Sequence, residues 1–223
     1  MSTDPSTSVT PAEEELPLII SVDDHVMEPR DLWQQQLPPS KRDRGPRTVQ
    51  EKVRLKFEGG HYGFERNDPD GHLCDVWLYD DLVTPTGFLH GPAGVPREEQ
   101  RNVAAVYEDL RPGTYSQRER LEDMELNHVS AAINYPNIFP RFCGQGFLER
   151  EDKEFALECL KIYNDWIIDD WGGGAGRGKL IPLTLVPLWD PVLAAEEVRR
   201  CASKGSYAIA FSENPSKLGC ATM

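Results

Sequence analysis

The chain has 223 residues and a formal net charge of −13, with 24 Lys and Arg against 37 Asp and Glu. That length buries a substantial core in one or two domains. The lack of a concentrated Lys/Arg run argues against nucleic acid or an anionic membrane surface as partner, and no apolar run approaches the roughly 18 residues that cross a bilayer.

Residues 1–16 are rich in Ser, Thr, Pro and Glu and lack the basic start and apolar middle of a signal peptide, so they read as a disordered tail. Leu18 to Val22 is a short apolar, β-branched run that predicts a strand buried on both faces. Strand side chains alternate, so Asp23 and His25 point the same way. A carboxylate and an imidazole at that spacing can share a divalent ion, although the same residues also serve as turn formers or as a hydrogen-bonded pair.

Residues 34–115, dense in Gly, Pro, Arg and Asp, show no sustained periodicity. Such a stretch is too long for a structureless loop and predicts an inserted subdomain, with short hairpins over Val53–Phe57, His61–Phe64 across Gly59-Gly60, and His72–Tyr79. Ser116 with Glu119 makes a capping box for a helix carrying Leu121 and Met124. Val129–Tyr135 is a strand stopped by Pro136. Glu149–Trp171 reads as one amphipathic helix through Phe155, Cys159, Ile162 and Trp166, and Gly172–Gly178 as a connector, because it follows a helix instead of a strand. Leu180–Leu188 is a third strand. Asp190-Pro191 opens a helix to about Lys204, with Asp190 as its N-cap, and Tyr207–Phe211 is a fourth strand.

Alternation of strands and helices predicts right-handed βαβ units and a parallel sheet, either an open doubly wound sheet or part of a (β/α)8 barrel. Ligands then bind at the carboxyl ends of the strands. Those ends carry Asp23, His25 and Glu28, then Asn134 and Tyr135, then Trp189 and Asp190, then Ser212, Glu213 and Asn214. His61, His72 and His90 read as surface or loop residues. His128 stands where a helix gives way to a strand, a place for positive φ. The five cysteines form no Cys-x-x-Cys and suit a reducing compartment, with the cytoplasm as the default. Cys159 and Cys201 read as small core residues.

The segment Ile20-Ser21-Val22-Asp23-Asp24-His25-Val26-Met27-Glu28-Pro29, with Asp31-Leu32-Trp33 after it, resembles the opening of the amidohydrolase-related (amidohydrolase 2) metal-dependent hydrolases. These are relatives of aminocarboxymuconate-semialdehyde decarboxylase and γ-resorcylate decarboxylase. Arg120-Leu121-Glu122-Asp123-Met124 leading into Val129–Pro136, Tyr163-Asn164-Asp165-Trp166, Leu180–Pro191 and Phe211-Ser212-Glu213-Asn214-Pro215 extend the resemblance over nearly all of residues 17–219. It implies a (β/α)8 barrel with the inserted subdomain after its first strand. It also implies a divalent metal, zinc first and manganese second, held in part by Asp23 and His25. Glu28, Tyr135, Trp189 and Glu213 would line the mouth of the site. The implied reaction is hydrolysis, or nonoxidative decarboxylation of an aromatic or enol carboxylic acid. The later-strand histidine and the catalytic aspartate of that pattern have no counterpart here. The chain therefore reads as a barrel truncated after about four βα units, with homo-oligomerisation open. The contrasting reading is a catalytically inactive fragment that acts as a binding or assembly module.

Overall fold

The computed structural model describes residues 16–212 and 214–219. Four parallel strands form the first sheet: β1 (Ile19–Val26), β6 (Val129–Pro136), β7 (Leu180–Thr184) and β8 (Ala208–Ile209), in that spatial order. Each new strand adds on the same side of the last, with no reversal. A doubly wound sheet reverses at a switch point, so the winding here is the sequential kind found in β/α barrels. Between β1 and β6 the chain builds α1 (Leu32–Gln36) and a second, antiparallel sheet of β2 (Arg47–Glu58), β3 (His61–Arg66), β4 (His72–Tyr79) and β5 (Leu82–Pro85), ordered β3-β2-β4-β5. The Gly59-Gly60 turn takes positive φ at both residues, as a tight hairpin requires.

The expectation of a strand buried on both faces does not hold for β1. Leu18, Ile20 and Val22 are 75%, 65% and 61% exposed. The strand lies at the sheet edge and pairs only with β6 among the described residues. Its apolar composition suits burial, but only one flank has a neighbour.

The helices are α2 (Gln117–Leu126), α3 (Gln145–Leu148), α4 (Lys153–Trp166) and α5 (Pro191–Ser203). The single helix expected over Glu149–Trp171 is broken. Asp152 caps a fresh start by accepting from the Phe155 N–H at 3.0 Å, and the end relaxes into a wider π turn over Ile167–Trp171. The capping box at Ser116 also differs from expectation. The Ser116 hydroxyl donates to the Glu119 carboxylate itself and makes no side-chain bond to the helix backbone. Asp190 behaves as expected and accepts from Val192 and Leu193 at 2.8 and 3.0 Å.

One aromatic cluster joins the two sheets. Trp33 meets Phe139 edge-on at 4.9 Å and Trp77 at 5.6 Å, and Phe139 also contacts Tyr79 and Phe147. The Trp33 indole, fully buried, donates to the Cys159 carbonyl at 2.9 Å. The insertion thus shares a core with the parallel sheet through β4. Cys159 and Cys201 are buried thiols whose pKa burial pushes up to about 12, consistent with a packing role.

Asn164 explains its place in the Asn-x-Trp motif. Its side chain is completely buried on α4 and bonds the backbone of Leu185 just past β7 in both directions, accepting from N–H at 2.7 Å and donating to C=O at 2.9 Å. The same amide donates to Glu197 on α5 at 2.7 Å. Removing it strands two buried backbone groups and takes one donor from the Glu197 carboxylate, which keeps Arg200. Asn164→Ala is expected to lower stability by about 2–4 kcal/mol in urea unfolding. An Asn164→Ala loss below about 0.5 kcal/mol, the range of an ordinary surface change, would contradict this role.

Candidate functional site

The carboxyl end of β1 brings Asp23 and His25 together. His25 Nε2 lies 3.8 Å from Asp23 Oδ1, with the two side chains 50% and 89% exposed. The strand is bulged across Val22 and Asp23: Ser21 pairs with Ala132 but Asp24 with Asn134, so three steps of β1 oppose two of β6. Bulges re-aim side chains beside functional sites. Past it, His25 is in register with Tyr135, whose ring lies 5.8 Å from the imidazole. Arg120 of α2 fixes this end of the strand by donating to the His25 carbonyl at 2.7 Å and the Gly113 carbonyl at 2.5 Å. Burial lowers the Arg120 pKa, with Asp24 and Asp123 acting in the opposite sense.

Glu28 is not at the surface of a mouth. It is completely buried. Its Oε1 accepts from the Asn137 N–H at 3.2 Å, and its main-chain carbonyl accepts from the Tyr107 hydroxyl at 2.8 Å. Glu28 Oε2 and the Tyr163 hydroxyl are both buried with no hydrogen-bond partner among the described residues. Burial raises the Glu28 pKa from 4.5 to about 7, against the backbone N–H groups that favour its anion. Glu28 is therefore a sealed carboxyl group whose neutral form persists beyond the usual carboxylate range.

Among the remaining candidates, Trp189 is half-buried and lies under the Lys153 ammonium, 5.3 Å from the ring centre. Glu213 lies outside the described residues. His61 and His72 are exposed, as expected. His90 differs: its Nδ1 accepts from the Gly87 N–H at 2.9 Å, and its pKa is lowered first by burial and then by the charge of His25. The insertion thus brings a second imidazole into the electrostatic range of the pair. No local pattern in the sequence marks it, because it reaches His25 only through the fold. His128 takes φ +56°, in keeping with a backbone role.

A cleft of about 510 Å³ is lined by Ser21, Asp24, Arg111, Arg120 and Asp123, among others. Ser21 and Asp24 pair with Ala132 and Asn134, on the face opposite His25 and Tyr135. The cleft therefore lies on the helix side of β1 and not at the strand ends where barrel ligands bind.

Catalytic zinc sites take three protein ligands and leave a position open. Among the described residues no group of three His, Cys, Asp or Glu side chains is placed to hold one ion. Asp23 and His25 are chemically suited as two ligands and do not complete a site.

No family model matches the chain, and no curated protein matches it. Among solved structures, the chain is similar in fold to the amidohydrolase map2389c of Mycobacterium avium subsp. paratuberculosis K-10. The TM-score is 0.53 with 19% identity, over 86% of this chain and 48% of that one. The chain thus spans about half the length of that enzyme. Among the described residues no helix is long and apolar enough to cross a membrane.

Glu28 gives a pH signature. Its folded-state pKa lies above the unfolded one, so its contribution to stability is complete below about 4.5 and is lost as pH rises through about 7. The full span corresponds to roughly 3 kcal/mol. Glu28→Gln, which cannot ionise, is expected to flatten the fall in stability across that window and to exceed the parent chain in stability above it. Parallel stability–pH curves for the two proteins would show that Glu28 carries no such proton.

Proposed function

We propose that this chain is the first half of a metal-dependent enzyme of the amidohydrolase kind, acting by hydrolysis or by nonoxidative decarboxylation on a small carboxylic acid. The observation that carries the reading is the Asp23–His25 pair at the carboxyl end of the first strand of a sequentially wound parallel sheet. The likeness in fold to a solved amidohydrolase supports it. In this reading Asp23 and His25 are two ligands of zinc, or of manganese, and Tyr135 flanks the imidazole. Trp189 and Glu213 belong to the substrate side, with an aromatic or enol acid as the substrate class. Glu28, three residues past His25, is buried in the core and keeps its proton to higher pH than an exposed carboxylate. The remaining ligands and the catalytic aspartate come from outside this residue set, so the chemistry belongs to the completed barrel and no step is assigned to these residues alone.

One observation favours the reading as an assembly module instead. Apolar side chains are exposed on both edge strands, Ile20 and Val22 on β1 and Ile209 on β8, with Tyr207 and Phe211 flanking β8. The two readings meet if assembly completes the site.

Equilibrium dialysis against zinc tests the metal reading. The 223-residue chain is expected to bind zinc weakly, and Asp23→Ala and His25→Ala are each expected to reduce that affinity by at least about 10-fold. Zinc affinity unchanged in both variants would remove the basis for the enzyme reading.

A further inference from the structure

The hairpin of β2 and β3 runs out beyond the rest of its sheet. β4 pairs with β2 only over residues 47–53, whereas β3 pairs with it over residues 53–58. Past Val53 the arm is two strands wide, and a two-stranded ribbon is marginal in water without a third strand or a packed face. Partners across a hairpin share a face, so Leu55, Phe57, Tyr62 and Phe64 stand in one row. That row continues the small core of Val53, Cys74, Val76 and Ala104 outward into solvent. Phe57, Tyr62 and Phe64 are 59%, 75% and 40% exposed, with the Phe57 and Tyr62 rings 4.7 Å apart.

The outer edge of β3 matches a copy of itself. Among the described residues it has no neighbour but β2. Sheet edges are usually guarded by a Lys, a Pro or a bulge. β3 carries neither residue, its register is unbroken, and the Arg66 guanidinium is turned back to the Glu51 carboxylate at 3.0 Å. The two-residue Gly59-Gly60 turn makes Glu58 and His61 the hydrogen-bonded closing pair. Alternation then points the N–H and C=O of Tyr62, Phe64 and Arg66 away from β2. Only these outward residues can bond one another, so the twofold axis of a self-pairing must pass through a residue. Centred on Gly63, it sets Tyr62 opposite Phe64 and the His61 imidazole opposite the Glu65 carboxylate, on both sides. Centred on Tyr62 or Phe64, it leaves His61 or Glu65 facing Gly63. A Cβ at Gly63 would meet nothing within the chain, so packing inside one copy gives no reason for a glycine there. Glycine in mid-strand weakens the strand and often marks the close approach of another backbone. We infer that two copies of this chain join β3 to β3, antiparallel about a twofold axis at Gly63, into one continuous sheet. Each arm gains the strands it lacks, and the aromatic row runs unbroken from one copy to the other. The pairing uses only residues 53–66 and is independent of the proposed function.

In sedimentation equilibrium the mass of the 223-residue chain is expected to rise with concentration toward twice 25.2 kDa. Tyr62→Pro removes an edge donor that the single chain does not use, and Phe64→Lys sets an ammonium in place of a ring. Each is expected to weaken the dimer by about 10-fold or more. Both positions are exposed, so circular dichroism of the variants is expected to match the parent. Leu126→Lys, at the exposed end of α2, is expected to leave the dimer intact. Gly63→Cys tests the register, because the non-hydrogen-bonded pair at the axis brings the two Cβ atoms close to disulfide distance. Diamide is expected to oxidise those two thiols to one disulfide, seen as a covalent dimer on a nonreducing gel, while His61→Cys and the parent chain stay largely uncrosslinked. A monomer at every attainable concentration, a dimer that both edge substitutions leave intact, or a disulfide that forms as readily in His61→Cys as in Gly63→Cys would overturn the pairing.

Discussion

The Asp75 carboxylate holds the two halves of this structure together. It sits on β4, almost wholly buried, and accepts from Arg30 Nε and Nη2 at 2.9 and 2.5 Å, Gln50 at 3.1 Å and the Tyr107 N–H at 2.8 Å. Arg30 follows directly on the strand-end segment of β1, pairs also with the Glu108 carboxylate and lies over the Tyr107 ring. Removing one partner from such a group costs far more than the pair contributes in isolation, because a charge is left buried and unpaired. The antiparallel sheet is thereby fastened to the few residues that separate His25 from α1. Tyr107, placed by its backbone bond to Asp75, turns its hydroxyl to the Glu28 carbonyl. A carboxylate on the insertion so determines where the end of β1 lies.

From that fixed point the two surroundings of the strand end diverge. Asp23 and His25 face solvent with their polar atoms accessible, whereas three residues later Glu28 is sealed in the core with one oxygen unpartnered. Carboxylates on one short segment thus meet opposite environments. The exposed one is suited to share a cation, and the buried one to hold a proton. Separating groups by environment is how one fold supports distinct acid–base roles.

The sequence was readable where local physics decides the outcome. Asp190-Pro191 marks a helix start because the cap and the fixed proline φ act within one turn. Gly59-Gly60 marks a hairpin because both residues must take positive φ, and the apolar stripe of α4 marks a buried face. It was misleading where the outcome depends on neighbours. Leu18 to Val22 has the composition of a central strand, but composition does not count strands, and β1 has one neighbour. The Glu149–Trp171 stripe is periodic throughout, and only the Asp152 carboxylate, which caps the Phe155 N–H, shows where the helix begins. β5 and α1 are too short to show a period. The Asp23–His25 pair was legible because its two residues stand only two apart in the chain. The burial of Glu28 and the approach of His90 come from segments far apart in sequence, so nothing local announces them.

The separation of β1 from β6 has a further consequence. The Ser130 hydroxyl reaches the Ile19 carbonyl across 111 residues of chain, whereas β2 and β3 meet across a two-glycine turn. Loop-closure entropy makes the hairpin the cheaper contact to form, and contacts of long sequence separation slow folding. β1 therefore has no β6 to pair with until residues 129–136 have been made. The antiparallel sheet assembles in that interval, and through Asp75 and Arg30 it holds the waiting strand close to where β6 will emerge. The insertion thus acts as a tether during synthesis as well as a wall of the finished core.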